Sequence, residues 1–148
     1  VTITTHNPEF VVREYLASFA GRDPDAIASF VAPDFVNEHS AGLGSGCRGR
    51  DVYRERLEGF LRDMQGLTYS IEHLVHDVTR SEVAAFYTMS ARWQGNAPFS
   101  IRGAQHLVIA NGLITHRTDY WDSALFLAQV DTSARSALSD FGISISSE

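Results

Sequence analysis

The chain has 148 residues, enough for one domain that buries roughly two-thirds of its unfolded surface without disulfide or metal staples. Its 44% hydrophobic and 20% charged residues are ordinary for a folded globular chain, and a net charge of −6 argues against nucleic acid, whose phosphates demand clustered Lys and Arg. No apolar stretch approaches the roughly 20 residues of a membrane span, Val1–Asn7 lacks the charged and apolar parts of a signal peptide, and the single Cys47 excludes an intrachain disulfide framework, so a reducing, cytoplasmic setting is expected.

Asn7-Pro8 has the form of a helix start, a capping side chain followed by proline in the first turn. Val12, Tyr15, Leu16 and Phe19 follow at helical spacing, and Gly21 is expected to stop the helix. Asp23-Pro24 opens a second helix with Ile27, Phe30 and Val31 inward and Pro33 ending it; Phe35–His39 reads as a short extended segment. After the glycine-rich stretch Gly42–Gly49, Asp51 is expected to cap a third helix with an apolar stripe of Tyr53, Leu57, Phe60, Leu61 and Met64, closed by Gly66. The period then changes from 3.6 to 2, which predicts long strands over 67–78, 83–93, 99–109 and 113–121, with hairpin turns at Gln94-Gly95-Asn96 and Ala110-Asn111-Gly112. Ser123–Gln129 suits one or two helical turns, and the Ser-rich remainder, 130–148, a mobile tail or an arm. Helices first and an antiparallel meander afterwards predict an α+β fold: three helices packed on a strongly curved, mostly antiparallel sheet that encloses a pocket. There are no repeats or linkers, so 1–148 is read as a single domain with its core over 7–129.

Several motifs invite chemistry and are weak alone. Gly44-Ser45-Gly46-Cys47-Arg48-Gly49 spells G-x-G-x-x-G, but a dinucleotide site needs a βαβ unit that this element order does not provide; a loop over the pocket mouth is the plainer reading. His73 and His76 lie three apart on a strand and face opposite ways, so no metal site is expected, since three or four ligands must converge. Cys47 lies near Arg48 and Arg50 but has no oriented base, and reads as a bystander. His39 is a proton-carrier candidate, with a half-exposed histidine as the alternative. On the last strand, alternation groups Arg117, Asp119 and Trp121 on one face and His116, Thr118 and Tyr120 on the other. The first face is either a surface ion pair or a polar patch inside a cavity.

Three segments carry a family resemblance together: Tyr15–Phe35 with its Gly21-Arg22-Asp23-Pro24 break, Gly49-Arg50-Asp51 at the start of the third helix, and Asn111-Gly112-Leu113-Ile114-Thr115 leading to Thr118-Asp119-Tyr120-Trp121-Asp122. Their order and spacing resemble the SnoaL-like polyketide cyclases, ketosteroid isomerases and limonene-epoxide hydrolases of the nuclear-transport-factor-two-like superfamily. The resemblance implies a cystatin-like cone, an α+β roll around one apolar pocket. It places Tyr15 where isomerases keep an oxyanion-steadying tyrosine, His39 where they keep their carboxylate base, and Gln105 at their second oxyanion donor, the protonated carboxylic acid of the isomerase itself. Asp119 falls on the terminal-strand acid or base of cyclases and epoxide hydrolases. Trp121, Tyr87, Met89 and Ala91 are expected in the pocket wall. The chain departs from epoxide hydrolases on the central strand, where Tyr87-Thr88-Met89 replaces an Arg/Asp pair, and from isomerases at both carboxyl positions.

The resemblance implies cofactor-independent proton transfer on a small, largely apolar oxygenated molecule of polyketide, steroid or terpenoid type, by an isomerase, cyclase or dehydratase reaction. His39, Asp119 and Tyr15 would be catalytic, and Gln105, Tyr87, Met89, Arg117 and Trp121 would bind substrate. A non-catalytic binding module and a dimerisation domain are the alternatives. His39 is expected within hydrogen-bond reach of Asp119, directly or through one water, with a pH dependence near neutrality. A homodimer through His106, His116, Thr118 and Tyr120 on the outer sheet face is expected, with no nucleic-acid or membrane partner. Register is the crux. A two-residue Asn111-Gly112 turn would set Gln105 opposite Thr118, away from Asp119, whereas a three-residue loop would set Gln105 opposite Arg117, on the Asp119 face, and His106 opposite His116. The three-residue loop is expected.

Overall fold

A computed structural model describes residues 7–145; the expectations for 1–6 and for the last three residues of the tail lie outside these. Helix α1 is Pro8–Ser18, with the Asn7 side chain accepting from the Glu9 N–H at 2.9 Å. A 3-10 turn, Phe19–Gly21, extends it, and Arg22 rather than Gly21 takes the left-handed conformation at its end, φ 56°. Helix α2 is only Pro24–Ala28, capped by Asp23. The second helix was expected to run on to Pro33, but Val31 already belongs to strand β1, Val31–His39, where it is buried by pairing with Ile114. Pro33 is tolerated in that strand because β1 is irregular between Val31 and Val36, and a bulge spares the missing N–H.

Strand β2, Cys47–Arg48, pairs with β1, and helix α3 spans Arg50–Asp63. Gly49 caps α3 in place of the expected Asp51. Its φ of 91° suits glycine, and its N–H bonds the Phe35 carbonyl at 2.7 Å. Buried Tyr53, Leu57 and Leu61 face inward, and Arg22 donates to the carbonyls of Leu61 and Met64 at the carboxyl end of α3. The long strands are β3 Met64–Asp77, β4 Glu82–Trp93, β5 Ala97–Ala110 and β6 Leu113–Trp121. Helix α4, Ser123–Val130, follows with Asp122 as its cap, and the expected tail forms a further helix, α5 Thr132–Asp140, capped by Asp131.

The six strands among the described residues join one sheet in the order β2-β1-β6-β5-β4-β3, antiparallel except for β1 against β6. The glycine-rich loop leads to α3 and then to an antiparallel strand, so it heads no βαβ unit. The sheet's concave face packs on α1 and α3 through a core that includes Val12, Leu16, Phe19, Phe35, Leu57 and Leu107.

The expected three-residue hairpin is corrected. Asn111 and Gly112 alone form the turn, both with positive φ (52° and 76°), between paired Ala110 and Leu113. Yet Gln105 stands opposite Asp119, on its face, because β6 carries a bulge. Ile109 pairs with Ile114 and Val108 with His116, leaving Thr115 over. By the same shift His106 faces Thr118, not His116.

Candidate active site

Sheet pairing gathers the polar residues. His39 on β1 is directly beside Asp119 on β6, Asn37 beside Arg117, and Gln105 on β5 beside Asp119 on its other flank. Their inward face closes one end of an apolar cavity of about 150 Å³. Phe19, Leu57, Phe60, Met89, Phe99 and Phe126 supply apolar wall, while Asn37, His39, Tyr53, Tyr87, Arg117 and Asp119 supply the polar end. The Arg117/Asp119/Trp121 face is therefore a cavity patch. Both charges are buried, Arg117 5% and Asp119 4% exposed. No ion pair within 4.0 Å joins them among the described residues.

Each charge is held instead by neutral dipoles. The Asp119 carboxylate accepts from the Tyr87 hydroxyl at 2.7 Å and from the Gln105 amide at 3.3 Å. Tyr87 reaches it from β4 across the intervening β5, at the level of Gly103. A Cβ there would collide with the Tyr87 hydroxyl and with Tyr87 Cζ and the Tyr120 carbonyl. The glycine is the gap through which Tyr87 crosses, and burial together with the Asp119 charge pushes the Tyr87 phenol far up, keeping it a donor. Arg117 donates through Nε to Asn37 Oδ1 at 3.0 Å and through Nη1 to Tyr15 Oη at 2.6 Å, with its guanidinium 6.0 Å from the ring centres of Tyr15 and Tyr53. Tyr15 and Tyr53 share a 2.6 Å hydroxyl contact, and burial raises both phenols.

His39 differs from expectation. Trp121 Nε1–H donates to its Nδ1 at 3.1 Å. An indole can only donate, so the neutral ring carries its proton on Nε2. Asn37 Nδ2 lies 3.5 Å from Nε2; since Asn37 Oδ1 is engaged by Arg117, this contact sets two donors face to face, and the His39 Nε2–H has no acceptor among the described residues. The expected direct hydrogen bond to Asp119 is absent. Burial and then the Arg117 charge, only partly offset by Asp119, push the imidazole down to about 4, so a titration of His39 near neutrality is not expected either. The glycine-rich loop borders the mouth. Gly44 packs against the His39 side chain at Cβ and Cγ, where a Cβ would not fit, and Arg56 Nη1 holds the loop through the Gly46 carbonyl at 2.6 Å and Ser45 Oγ at 3.0 Å.

Of the residues expected at the site, His39, Asp119, Arg117, Trp121, Tyr87 and Met89 line the cavity. Tyr15, Gln105 and Ala91 do not. Tyr15 (0% exposed) and Gln105 (1%) sit behind it, each touching a lining charge, and Ala91 packs in the core. Sequence reasoning missed Asn37, Tyr53 and Tyr69. Asn37 was legible from its spacing to His39 on one strand face; Tyr53 had been assigned to a helix's apolar stripe, which hides its hydroxyl. Among the described residues no group of three His, Cys, Asp or Glu side chains converges to hold a metal ion, and no helix is long and apolar enough to cross a membrane.

A cone of helices on a curved sheet, with a buried acid and its neighbours at the closed end, defines a class of small-molecule pocket folds. The chain belongs to the SnoaL-like domain family, whose model matches residues 12–117. No curated protein matches it significantly. Solved structures of the same fold include an LEH-like epoxide hydrolase from M. tuberculosis (20% identity, TM-score 0.72, covering 93% of this chain and 97% of that one). A protein of ketosteroid-isomerase-like fold from Catenulispora acidiphila, in complex with trimethylamine, matches at 21% identity and TM-score 0.73 over 80% and 90% of the two chains. AusH from Aspergillus nidulans matches at 14% identity and TM-score 0.70 over 79% and 84%. At these identities the likeness establishes the fold.

Proposed function

We propose that the chain is a cofactor-independent acid–base enzyme acting on a small, largely apolar oxygenated molecule of polyketide, steroid or terpenoid type. The observation that carries this is Asp119: a buried carboxylate at the polar end of a largely apolar cavity, fixed by Tyr87 and Gln105 and in no direct ion pair among the described residues. In the proposed step a C–H bond next to a substrate carbonyl breaks. Its proton passes to Asp119, and the electron pair moves onto the carbonyl oxygen, which takes a hydrogen bond from the neutral His39 Nε2–H. Returning the proton to another carbon isomerises the substrate; attack by the carbanion on a second carbonyl cyclises it, the π pair moving onto that oxygen, which takes the proton back from Asp119. Proton transfer by a positioned side chain is worth about 10²–10⁴-fold. The test is deuterium uptake from D2O into apolar cyclic ketones such as 2-tetralone, followed by NMR. The wild type should accelerate exchange and Asp119→Asn should lose about a hundredfold or more. Exchange no faster than buffer, or equal in the variant, would overturn the proposal in favour of a binding module.

The same reading extends to assembly. Phe86 (41% exposed), Ala104 and Tyr120 (52% exposed) are in register across β4, β5 and β6 on the outer face, beside His106, Thr118 and His116. We propose that this face pairs with a second copy.

A further inference from the structure

We infer that Tyr53, and not Tyr15, is the tyrosine that donates to the substrate oxygen, and that Arg117 and Tyr15 drive it from behind. The inference rests on the proton-transfer reading of this cavity and names which of its side chains meets the carbonyl oxygen.

The argument is an inventory of protons. A guanidinium has only donors, so in the 2.6 Å contact between Arg117 Nη1 and Tyr15 Oη the tyrosine oxygen accepts. Tyr15 still has its own hydroxyl proton to place. It is fully buried, and among the described residues the only other polar partner of its hydroxyl is Tyr53 Oη at 2.6 Å. If Tyr53 donated to Tyr15, the Tyr15 proton would be buried with no acceptor, a cost of about 1–3 kcal/mol. Tyr15 therefore donates to Tyr53. That leaves the Tyr53 proton without an acceptor among the described residues, and Tyr53 is the member of the pair that lines the cavity. The chain Arg117 → Tyr15 → Tyr53 runs one way and ends on a free O–H.

Direction matters energetically. A cation at the head of a hydrogen-bond chain polarises each O–H in turn, making the last a stronger donor than an isolated phenol. It is stronger still toward a charge that develops in a dry cavity. Another free donor, His39 Nε2–H, lines the same cavity, as does the Tyr69 phenol. The Tyr53 and His39 donors and the Asp119 carboxylate fit a carbonyl oxygen and the adjacent C–H, with the oxygen becoming anionic as the proton leaves for Asp119. Tyr15 is then a positioning residue, because it reaches the substrate only through Tyr53.

A phenolate mimics such an enolate, and 4-nitrophenol serves as the probe because its anion alone absorbs in the visible. Binding is titrated by difference absorbance at a pH where the free phenol is ionised. Wild type is expected to bind. Tyr53→Phe should weaken binding about tenfold or more, the usual loss of a hydrogen bond to a charged group. Tyr15→Phe should weaken it only two- to fivefold but shift the bound phenolate's absorption maximum, a readout that repacking alone would not move. Asp119→Asn should bind no worse than wild type. As a second route to the same question, 3-fluorotyrosine at position 53, a more acidic phenol, should tighten binding. Wild-type affinity in Tyr53→Phe, a larger loss in Tyr15→Phe than in Tyr53→Phe, or no phenolate binding at all would overturn the inference. Binding requires no proton abstraction, so a wild type that binds phenolate with the expected variant pattern yet exchanges no ketone deuterium refutes only the base role of Asp119.

Discussion

In the folded chain His39 resists protonation down to about 4, whereas the same ring in an unfolded chain takes a proton near its ordinary 6.5. Between those values the unfolded state binds a proton that the folded state refuses. The contribution is therefore complete above about 6.5 and is lost as pH falls through the window toward about 4. Each pH unit across it costs at most about 1.36 kcal/mol, which sets a ceiling of about 3.4 kcal/mol. The ring is partly open at the cavity mouth, so solvent screening trims the effect, and about 2 kcal/mol is the expected loss between about pH 7 and 4.5. The perturbation is His39→Gln, which keeps a polar side chain there and removes the titration. Urea unfolding followed by tryptophan fluorescence at both pH values gives four stabilities. Wild type should lose about 2 kcal/mol more on acidification than His39→Gln. Equal losses would mean that the ring protonates in the folded state as readily as in the unfolded one, and the account of a neutral His39 held by burial and the Arg117 charge would be wrong.

Gly103→Ala should destabilise by about 1–3 kcal/mol in chemical denaturation, because its Cβ meets the Tyr87 phenol and the Tyr120 carbonyl. On a Tyr87→Leu background the same change should cost less, and an undiminished cost would place the strain in the backbone instead. Tyr120→Arg should shift a light-scattering mass from dimer to monomer, since it sets a charge in the middle of the proposed apolar contact; a wild type that is already monomeric at micromolar concentration would dispose of that contact.

The element types were legible because each has a local cause. Asn7-Pro8 and Asp23-Pro24 start helices by capping chemistry, and the 2-residue period announces β3 to β6. What sequence could not deliver was set by contacts between distant segments. Val31 looks helical beside Ile27 until Ile114, some eighty positions on, claims it for the sheet. The Gln105–Asp119 face was anticipated through the wrong device. Asn111-Gly112 is the strongest two-residue turn signal in the chain and forms that turn; the compensating bulge at Thr115 has no composition of its own. The roles within the site were harder still. A histidine's tautomer depends on Trp121, and a tyrosine's donor direction on Arg117, and neither partner is a neighbour in sequence.

Those two dependences share a physical origin in β6. Arg117, Asp119 and Trp121 all face the cavity, at successive two-residue steps of one strand. Two opposite charges so placed could have closed on each other, and a direct buried pair would have spent their fields on mutual neutralisation. They do not, because the neighbouring strands and α1 offer each its own dipoles: Asn37 and Tyr15 for the cation, Tyr87 and Gln105 for the anion. Each charge is then satisfied yet still projects a field into the cavity. The cation's field opposes protonation of His39 and polarises the tyrosines, and the anion stays open to the cavity. Trp121 adds the remaining constraint by occupying Nδ1 of His39, which turns a residue type usually read as a base into a donor. The same strand thus sets the polarity of the whole site, with acceptor character concentrated on Asp119 and donor character distributed around it.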